Sequence, residues 1–369
     1  MEIKDFSEDG EKHHSGGKKH RHHHHHHHHH SSRKEQKRRK WIRPAIVMSI
    51  VVVVVVALAL TGYIRSRETF TTEEKAGSNG NVELRYKDVS YQGEKYKYNN
   101  RITTILLAGL DSEDDIVATK TFTMAPRADT ILLLVIDTQN KKLSVVALNR
   151  DTMTKIRRYT LDGYSRGLYT DHLGYAFTYG DGGEKSCENL SEAVSLLLYD
   201  VPISHYLVVN RSSIKKIAEI VGPVEVVVPN NDLIEVDSKY TEGNKVLIDQ
   251  NNIELFVRRR DTSKDFTNTS RMERQQAYIN AAMEKVLALL KDDPSEAWSM
   301  LEELEKCVMT DINRSQYLDL VNDINKVSYS SGNYYTPVGT QSSENTHDEF
   351  YVDETDLLEK VVDLFYLKK

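Results

Sequence analysis

From Trp41 to Ile64 the chain reads WIRPAIVMSIVVVVVVALALTGYI. Arg43 stands near its start, and about 20 uncharged residues follow, enough to cross a hydrocarbon core of roughly 30 Å as a helix. A signal peptide would have a shorter apolar core and a small-residue cleavage site, which ALALTG resembles only weakly, so this segment is expected to stay as an anchor. Arg33, Lys34, Lys37, Arg38, Arg39, Lys40 and Arg43 crowd the near side, whereas Arg65 and Arg67 on the far side are soon balanced by Glu68, Glu73 and Glu74. The positive-inside rule then orients the N-terminus into the cytoplasm and leaves everything after Ile64 outside, on a single-pass protein of the cell membrane.

The anchor divides the chain. Residues 1–40 form a cytoplasmic basic tail of low complexity that is expected to be disordered, and its nine consecutive histidines carry no catalytic assignment. That tail holds a formal charge of +5 and the remainder −11, a balance that disfavours nucleic acid as a partner. Residues 65–98, polar and rich in Lys, Glu, Tyr, Gly and Asn, read as a stalk. Residues 99–292 read as the catalytic domain. Residues 293–369, with PSEAWSMLEELEKCV, SQYLDLVNDINKV and DETDLLEKVVDLFY, read as a C-terminal extension of amphipathic helices packed on that domain.

Inside the domain, ITTILLAGLDS, ADTILLLVID (128–137) and KLSVVALNRD (142–151) are each a nearly continuous apolar strand with a charged residue at one end. Continuous apolar character predicts strands buried on both faces. Further strands are expected at 204–209 and 223–228. Apolar spacing near 3.6 predicts helices over 187–200, 212–222 and 270–291. Strands interleaved with helices give an α/β class, an α-β-α layered domain with a central mixed β-sheet, behind one N-terminal transmembrane helix.

In such a sheet, ligands bind where loops leave the strand ends. Asp111, Arg127, Asp129 and Arg150 stand there. Two carboxylates on neighbouring strands suit a hard divalent cation, but strand-end aspartates also cap turns, and spacing alone leaves both readings open. The stretch LFVRRRDTSKD (255–265) adds three adjacent arginines. Read as a strand, it points Arg258 and Arg260 one way with Phe256, and Arg259 the other way with Leu255 and Val257. The next helix is expected to start at Ser270 as N-cap with Glu273 three residues on, bringing Arg271, Arg274 and Gln275 near one another. Such a cluster is either a phosphate site or a salt-bridged surface patch.

The order of ITTILLAGLDS, RADTILLLVIDTQNKKLSVVALNRDT, YGDGGEKSCENLSEAVSLLL and FVRRRDTSKDFTNTSRMERQQ behind one anchor resembles the LytR-CpsA-Psr family over roughly residues 100–290. The resemblance implies an extracytoplasmic phosphotransferase. Such enzymes move a phosphate-bearing glycopolymer from a polyprenyl-pyrophosphate lipid to peptidoglycan, typically the C6 hydroxyl of N-acetylmuramic acid. It implies Mg²⁺, or Mn²⁺ in its place, held by Asp111 and Asp129, and pyrophosphate bound by Arg127, Arg150, Arg258, Arg260, Arg271 and Gln275. Asp129, Arg150, Arg258 and Arg260 would be catalytic, and Leu107, Leu132, Leu134, Phe256 and Ile279 would meet the polyprenyl chain. The implied partners are the lipid-linked glycan, peptidoglycan and the membrane. Hydrolysis of the same pyrophosphate, or an envelope receptor for polyprenyl phosphates, would use the same donor site.

Two departures stand out. Gly174 occupies the place where many relatives have an asparagine, and SEDDIVATKTFTMAP between the two aspartates is a long acidic insert expected to face water. Cys187 and Cys307 either pair or stay free. His172, His205 and His347 lie far apart in sequence without zinc-ligand spacing, and YGDGG (179–183) lacks the phosphate-loop pattern and reads as a turn.

Overall fold

The computed structural model describes residues 88–261, 264, 266–292, 298, 307–344 and 347–369. The expected tail, the anchor at 41–64 and the stalk up to residue 87 lie outside these. Among the described residues, no helix is long and apolar enough to cross a membrane.

The strands, in chain order, are β1 (Asp88–Tyr91), β2 (Glu94–Tyr98), β3 (Ile102–Leu110), β4 (Ala128–Asp137), β5 (Lys142–Leu148), β6 (Met153–Tyr159), β7 (Ser165–His172) and β8 (His205–Val209). After them come β9 (Val224–Val227), β10 (Lys245–Ile248), β11 (Val308–Thr310), β12 (Tyr334–Tyr335), β13 (Gly339–Ser342), β14 (Glu349–Val352) and β15 (Tyr366–Lys368). The helices are α1 (Tyr175–Thr178), α2 (Glu184–Leu197), α3 (Ser213–Val221), α4 (Ile253–Arg258), α5 (Thr267–Asp292), α6 (Arg314–Ile324) and α7 (Glu354–Phe365).

A six-stranded sheet in the order β11-β8-β3-β4-β5-β12 organises the domain. β3, β4 and β5 run antiparallel in succession, while β8 is parallel to β3 and β12 parallel to β5, so the sheet is mixed. Successive residues of its central strands bury on opposite faces, because helices cover both. Ile105, Leu134 and Val145 join one core with Ala282, Met283 and Val286 of α5 and Leu320 of α6. Their chain neighbours Leu106, Leu133 and Val146 join the other core with Leu190 and Val194 of α2 and Val361 and Phe365 of α7. The apolar runs read from the sequence are thus continuous because each serves two cores.

Two expectations are corrected. Residues 88–98, assigned to the stalk, form β1 and β2, which build a separate three-stranded sheet with β15 at the chain's end. The region read as a C-terminal extension supplies β11 and β12, the two edge strands of the central sheet, and so completes it. The expected strand at 223–228 forms as β9 and, among the described residues, pairs with β10 outside the central sheet. Cys187 and Cys307 are both free and buried.

Gly174 is packed too tightly for any side chain. Its carbonyl accepts from the Ala128 N–H at 3.1 Å and its N–H donates to the Arg150 carbonyl at 2.8 Å, tying the start of β4 to the segment after β5. A Cβ there would stand 2.7 Å from the Ala128 oxygen and 3.1 Å from Cγ of Arg127. Gly174→Ala is expected to cost roughly 1–3 kcal/mol by overpacking. Chemical denaturation tests this, and an unchanged midpoint would contradict it.

Candidate active site

The alternating directions of β3, β4 and β5 bring the end of the first, the start of the second and the end of the third to one sheet edge. Asp111, Arg127, Asp129 and Arg150 therefore meet. Between Gly109 and Leu110 the register slips: Gly109 pairs with Thr130 but Leu110 with Ala128, so Asp129 is passed over as the extra residue of a β-bulge. A bulge frees the backbone and re-aims the side chain. Asp129 uses both. Its Oδ1 accepts from Nε of Arg127 at 3.0 Å and from Nη1 of Arg150; its Oδ2 lies 3.3 Å from Nη1 of Arg271; and its carbonyl accepts from Nη2 of Arg271 at 2.9 Å.

Burial opposes ionisation of Asp129, but the guanidiniums of Arg150, Arg271 and Arg127 outweigh it and hold the carboxyl below its usual range. The arginines feel the converse. Arg150 and Arg271 are each 4% exposed. Burial, then repulsion from Arg150, pushes the Arg271 guanidinium down to about 10, with Arg260 adding to the repulsion and Asp129 opposing it. The same two causes lower Arg260. Nε of Arg271 is buried without a hydrogen-bond partner.

The arginine triplet departs from the strand reading. Ile253–Arg258 is helix α4, with Ile253 and Phe256, three apart, buried in the core. Arg258 ends this helix, donating to Glu254 one turn back at 2.7 Å and to Asp111 at 3.1 Å. Arg259 caps the helix and Arg260 follows it, and all three line the cleft. Strand alternation therefore does not sort them. Among the described residues, the side chains of Arg259 and Arg260 form no hydrogen bond or ion pair.

Helix α5 begins at Thr267, three residues before the expected cap, and Ser270 sits within its first turn. Arg271 and Gln275 do share the site face; Gln275 donates to Thr130 Oγ1 and to the Val257 carbonyl, both at 3.1 Å. Arg274 points elsewhere. Fully buried, it donates to the carbonyls of Phe256 and Arg259 and pairs with Asp232 at 2.9 Å, clamping the turn that carries the triplet.

These side chains bound a cleft of about 530 Å³. Arg127, Arg150, Lys215, Arg258, Arg259, Arg260 and Arg271 face three carboxylates, Asp111, Asp129 and Glu254. Lys215, Glu254 and Asn251 had no signal in the sequence, since only the packing of α3 and α4 beside the strand ends brings them in. Of the apolar residues assigned to a lipid chain, Leu134 and Phe256 are sealed in the core, whereas Leu107, Leu132 and Ile279 are half-buried on the same side of the sheet. The acids of the insert, Glu113, Asp114 and Asp115, are exposed, with Glu113 paired to Arg211 and Asp114 accepting from Ser112, while Ile116 is buried in the core.

The profile of the LytR_cpsA_psr family matches residues 61–363. The chain belongs to the LytR-CpsA-Psr family. Among curated members it is similar to the polyisoprenyl-teichoic acid–peptidoglycan teichoic acid transferase TagU of Halalkalibacterium halodurans, 23% identical over 57% of this chain and 60% of that protein. The TagU of Enterococcus faecalis is 28% identical over 52% of this chain and 56% of that protein. The matched segment thus spans under two thirds of either relative. Among solved LytR-CpsA-Psr-like folds, TagT bound to LIIa-WTA superposes with a TM-score of 0.53 at 17% identity, over 72% of this chain and 89% of that one. Protein gbs0355 of Streptococcus agalactiae gives 0.55 at 18% identity, over 72% and 86%. At these identities, the likeness establishes a shared fold.

Beside the LytR-CpsA-Psr cleft lies a second polar cluster. His172, at the end of β7, has Nδ1 3.1 Å from Asp171 and Nε2 3.0 Å from the Asp348 carbonyl. Both partners are acceptors, so both ring nitrogens are best satisfied as donors, in the imidazolium. The hydrogen bond to Asp171 is the main cause raising the His172 pKa, against burial. A raised folded pKa adds stability in full below the unfolded value near 6.5, and that stability is lost as pH rises through the folded pKa. Wild type is expected to lose melting temperature from pH 6 to 8.5 more steeply than His172→Gln; parallel profiles would contradict this.

Proposed function

We propose that the protein is an extracytoplasmic phosphotransferase, anchored by residues 41–64. It would move a phosphoglycan from a polyprenyl-pyrophosphate carrier to the C6 hydroxyl of N-acetylmuramic acid in peptidoglycan. The observation that carries this reading is the excess of seven cations over three carboxylates in one cleft, with Arg260 and Arg271 lowered first by burial and then by repulsion from Arg150. A multiply charged anion relieves that repulsion, and the planar forks of arginine match phosphate oxygens. The names of the TagU relatives and the teichoic acid bound by TagT agree with a lipid-carried wall polymer as donor.

In phosphoryl transfer, charge spreads over the equatorial oxygens, and the protein's task is positioning and neutralisation. Arg150, Arg258, Arg260 and Arg271 would grip the pyrophosphate, with Arg127 and Gln275 fixing the edge of the site. Asp111, 42% exposed with one arginine partner, and Asp129 offer hard oxygen donors at adjoining strand ends, a set that fits Mg²⁺ or Mn²⁺ when phosphate oxygens complete it. Among the described residues, no group of three or more potential metal ligands exists, so the cation would arrive with the donor. Bound there, it would supply further neutralisation of the pyrophosphate. The lowered pKa of Asp129 makes it a poor proton acceptor and favours a role in charge and orientation. Leu107, Leu132 and Ile279 would meet the polyprenyl chain, with Leu134 and Phe256 serving as core.

The test is mass analysis of peptidoglycan after incubating the full chain with a polyprenyl-pyrophosphate oligosaccharide and Mg²⁺. A phosphodiester-linked product that disappears with a chelator is expected. Free phosphoglycan as the sole product would overturn transfer in favour of hydrolysis.

A further inference from the structure

The two aspartates at the sheet edge are held unequally. Three guanidiniums close on Asp129, whereas Asp111, among the described residues, has Arg258 as its one ion-pair partner. That partner is itself shared. Nη2 of Arg258 donates to Oδ1 of Asp111 at 3.1 Å, and Nη1 donates to Oε1 of Glu254 at 2.7 Å. Glu254 stands in the first turn of α4 and Arg258 in its last, so the two share a helix face while Ile253 and Phe256 bury another. From the α3 side, Nζ of Lys215 lies 3.6 Å from Oε2 of Glu254, and Nε of Arg211 lies 3.9 Å from Oε1. Glu254 is thereby fixed in place while it holds Arg258.

A guanidinium 3.1 Å from Oδ1 of Asp111 repels a divalent cation from the same oxygen, so Asp111 serves as a cation donor only when Arg258 lets go. The fork of an arginine carries five donors and can be gripped at one end while the other is released. We propose that Glu254 is a positioning residue that makes this release possible. It keeps Arg258 by Nη1 while Nη2 leaves Asp111 and turns to the pyrophosphate. Without Glu254, Asp111 is the one carboxylate left to Arg258 among the described residues, and their pairing competes with the cation. This role for Glu254 rests on Asp111 taking the cation, as read above.

The experiment titrates the full chain in nanodiscs, by calorimetry, with metal-free and with Mg²⁺-loaded inorganic pyrophosphate. High salt screens the general field of the cleft. The quantity read is the ratio of the two Kd values, metal-loaded over metal-free. Asp111→Asn, which removes the cation donor, is expected to raise that ratio. Glu254→Gln is expected to raise it about fivefold, the upper end for a partly exposed ion pair. Metal-free pyrophosphate should bind Glu254→Gln at least as tightly as wild type, because the cleft has lost a negative charge, and that titration also reports that the variant is folded. In an Arg258→Ala background, Glu254→Gln is expected to leave the ratio unchanged, since Glu254 acts through that arginine. An unchanged ratio in Glu254→Gln alone overturns the proposal and leaves the cation reading standing. A rise of the same size in the Arg258→Ala background overturns it as well, by making Glu254 a direct ligand of the cation. An unchanged ratio in Asp111→Asn removes the cation reading, and this role of Glu254 with it.

Discussion

Asp129→Asn is expected to lower turnover of a lipid-linked phosphoglycan by about a thousandfold, the upper range for losing a preorganised electrostatic element. The same variant is expected to bind metal-free pyrophosphate at least as tightly as wild type. Both effects follow from the position of one carboxylate among Arg127, Arg150 and Arg271. The amide keeps the shape but removes the negative charge, so the cleft becomes more cationic and attracts an anion more strongly. What it loses is a donor for the cation and the charge that fixes the guanidiniums in place. Stability should fall as well, because an uncompensated buried charge costs roughly 3–5 kcal/mol when its partner is removed. Added pyrophosphate should restore part of the melting temperature by mass action. Stopped-assay turnover, calorimetry and thermal melts report the three effects separately. Wild-type turnover in Asp129→Asn would remove this residue from the site.

Single alanine substitutions at Arg258, Arg259 and Arg260 are expected to weaken pyrophosphate binding in all three cases. A charge-assisted hydrogen bond contributes about 1.5–3 kcal/mol, which corresponds to losses of roughly ten- to a hundredfold in affinity. Arg258 also pairs with Asp111 and Glu254, so its substitution should change the Mg²⁺ dependence in addition to affinity. Arg259 is the discriminating position. On a strand it would face away from its neighbours and be dispensable; at the end of helix α4 it lines the cleft with them. Pyrophosphate affinity in Arg259→Ala equal to that of wild type would restore the strand reading.

The contrast between these two regions shows what the sequence made legible. Strands β3, β4 and β5 announce themselves because two cores require both faces apolar, and the charges at their ends mark the sheet edge. The segment Ile253–Arg258 does not. Its run of Ile, Leu, Phe and Val is too short to separate the two periodicities, and the burial of Ile253 and Phe256 against the core decides for the helix. Long-range pairing was equally hidden. β12 is two residues long, and β2 is a polar stretch whose partner β15 lies at the opposite end of the chain. Lys215 and Glu254 enter the cleft only through the docking of their helices. Arg271 and Gln275 were legible because four residues on a helix return to the same face, whereas the inward turn of Arg274 depends on Asp232 and two carbonyls in another loop.

The bulge at Asp129 makes the centre of the site an insertion. From Ile102 to Gly109, β3 pairs with β4 residue for residue, and the ladder resumes at Leu110 only after one position is skipped. A chain shorter by that single residue would close the gap and gain an uninterrupted ladder. It would also lose the carboxylate and the carbonyl that Arg271 reads together. Sheet regularity and chemistry are therefore at odds here. A relative with a deletion at this point would gain ladder regularity but leave the buried guanidiniums of Arg150 and Arg271 without their carboxylate, so it should lack arginines at those positions as well.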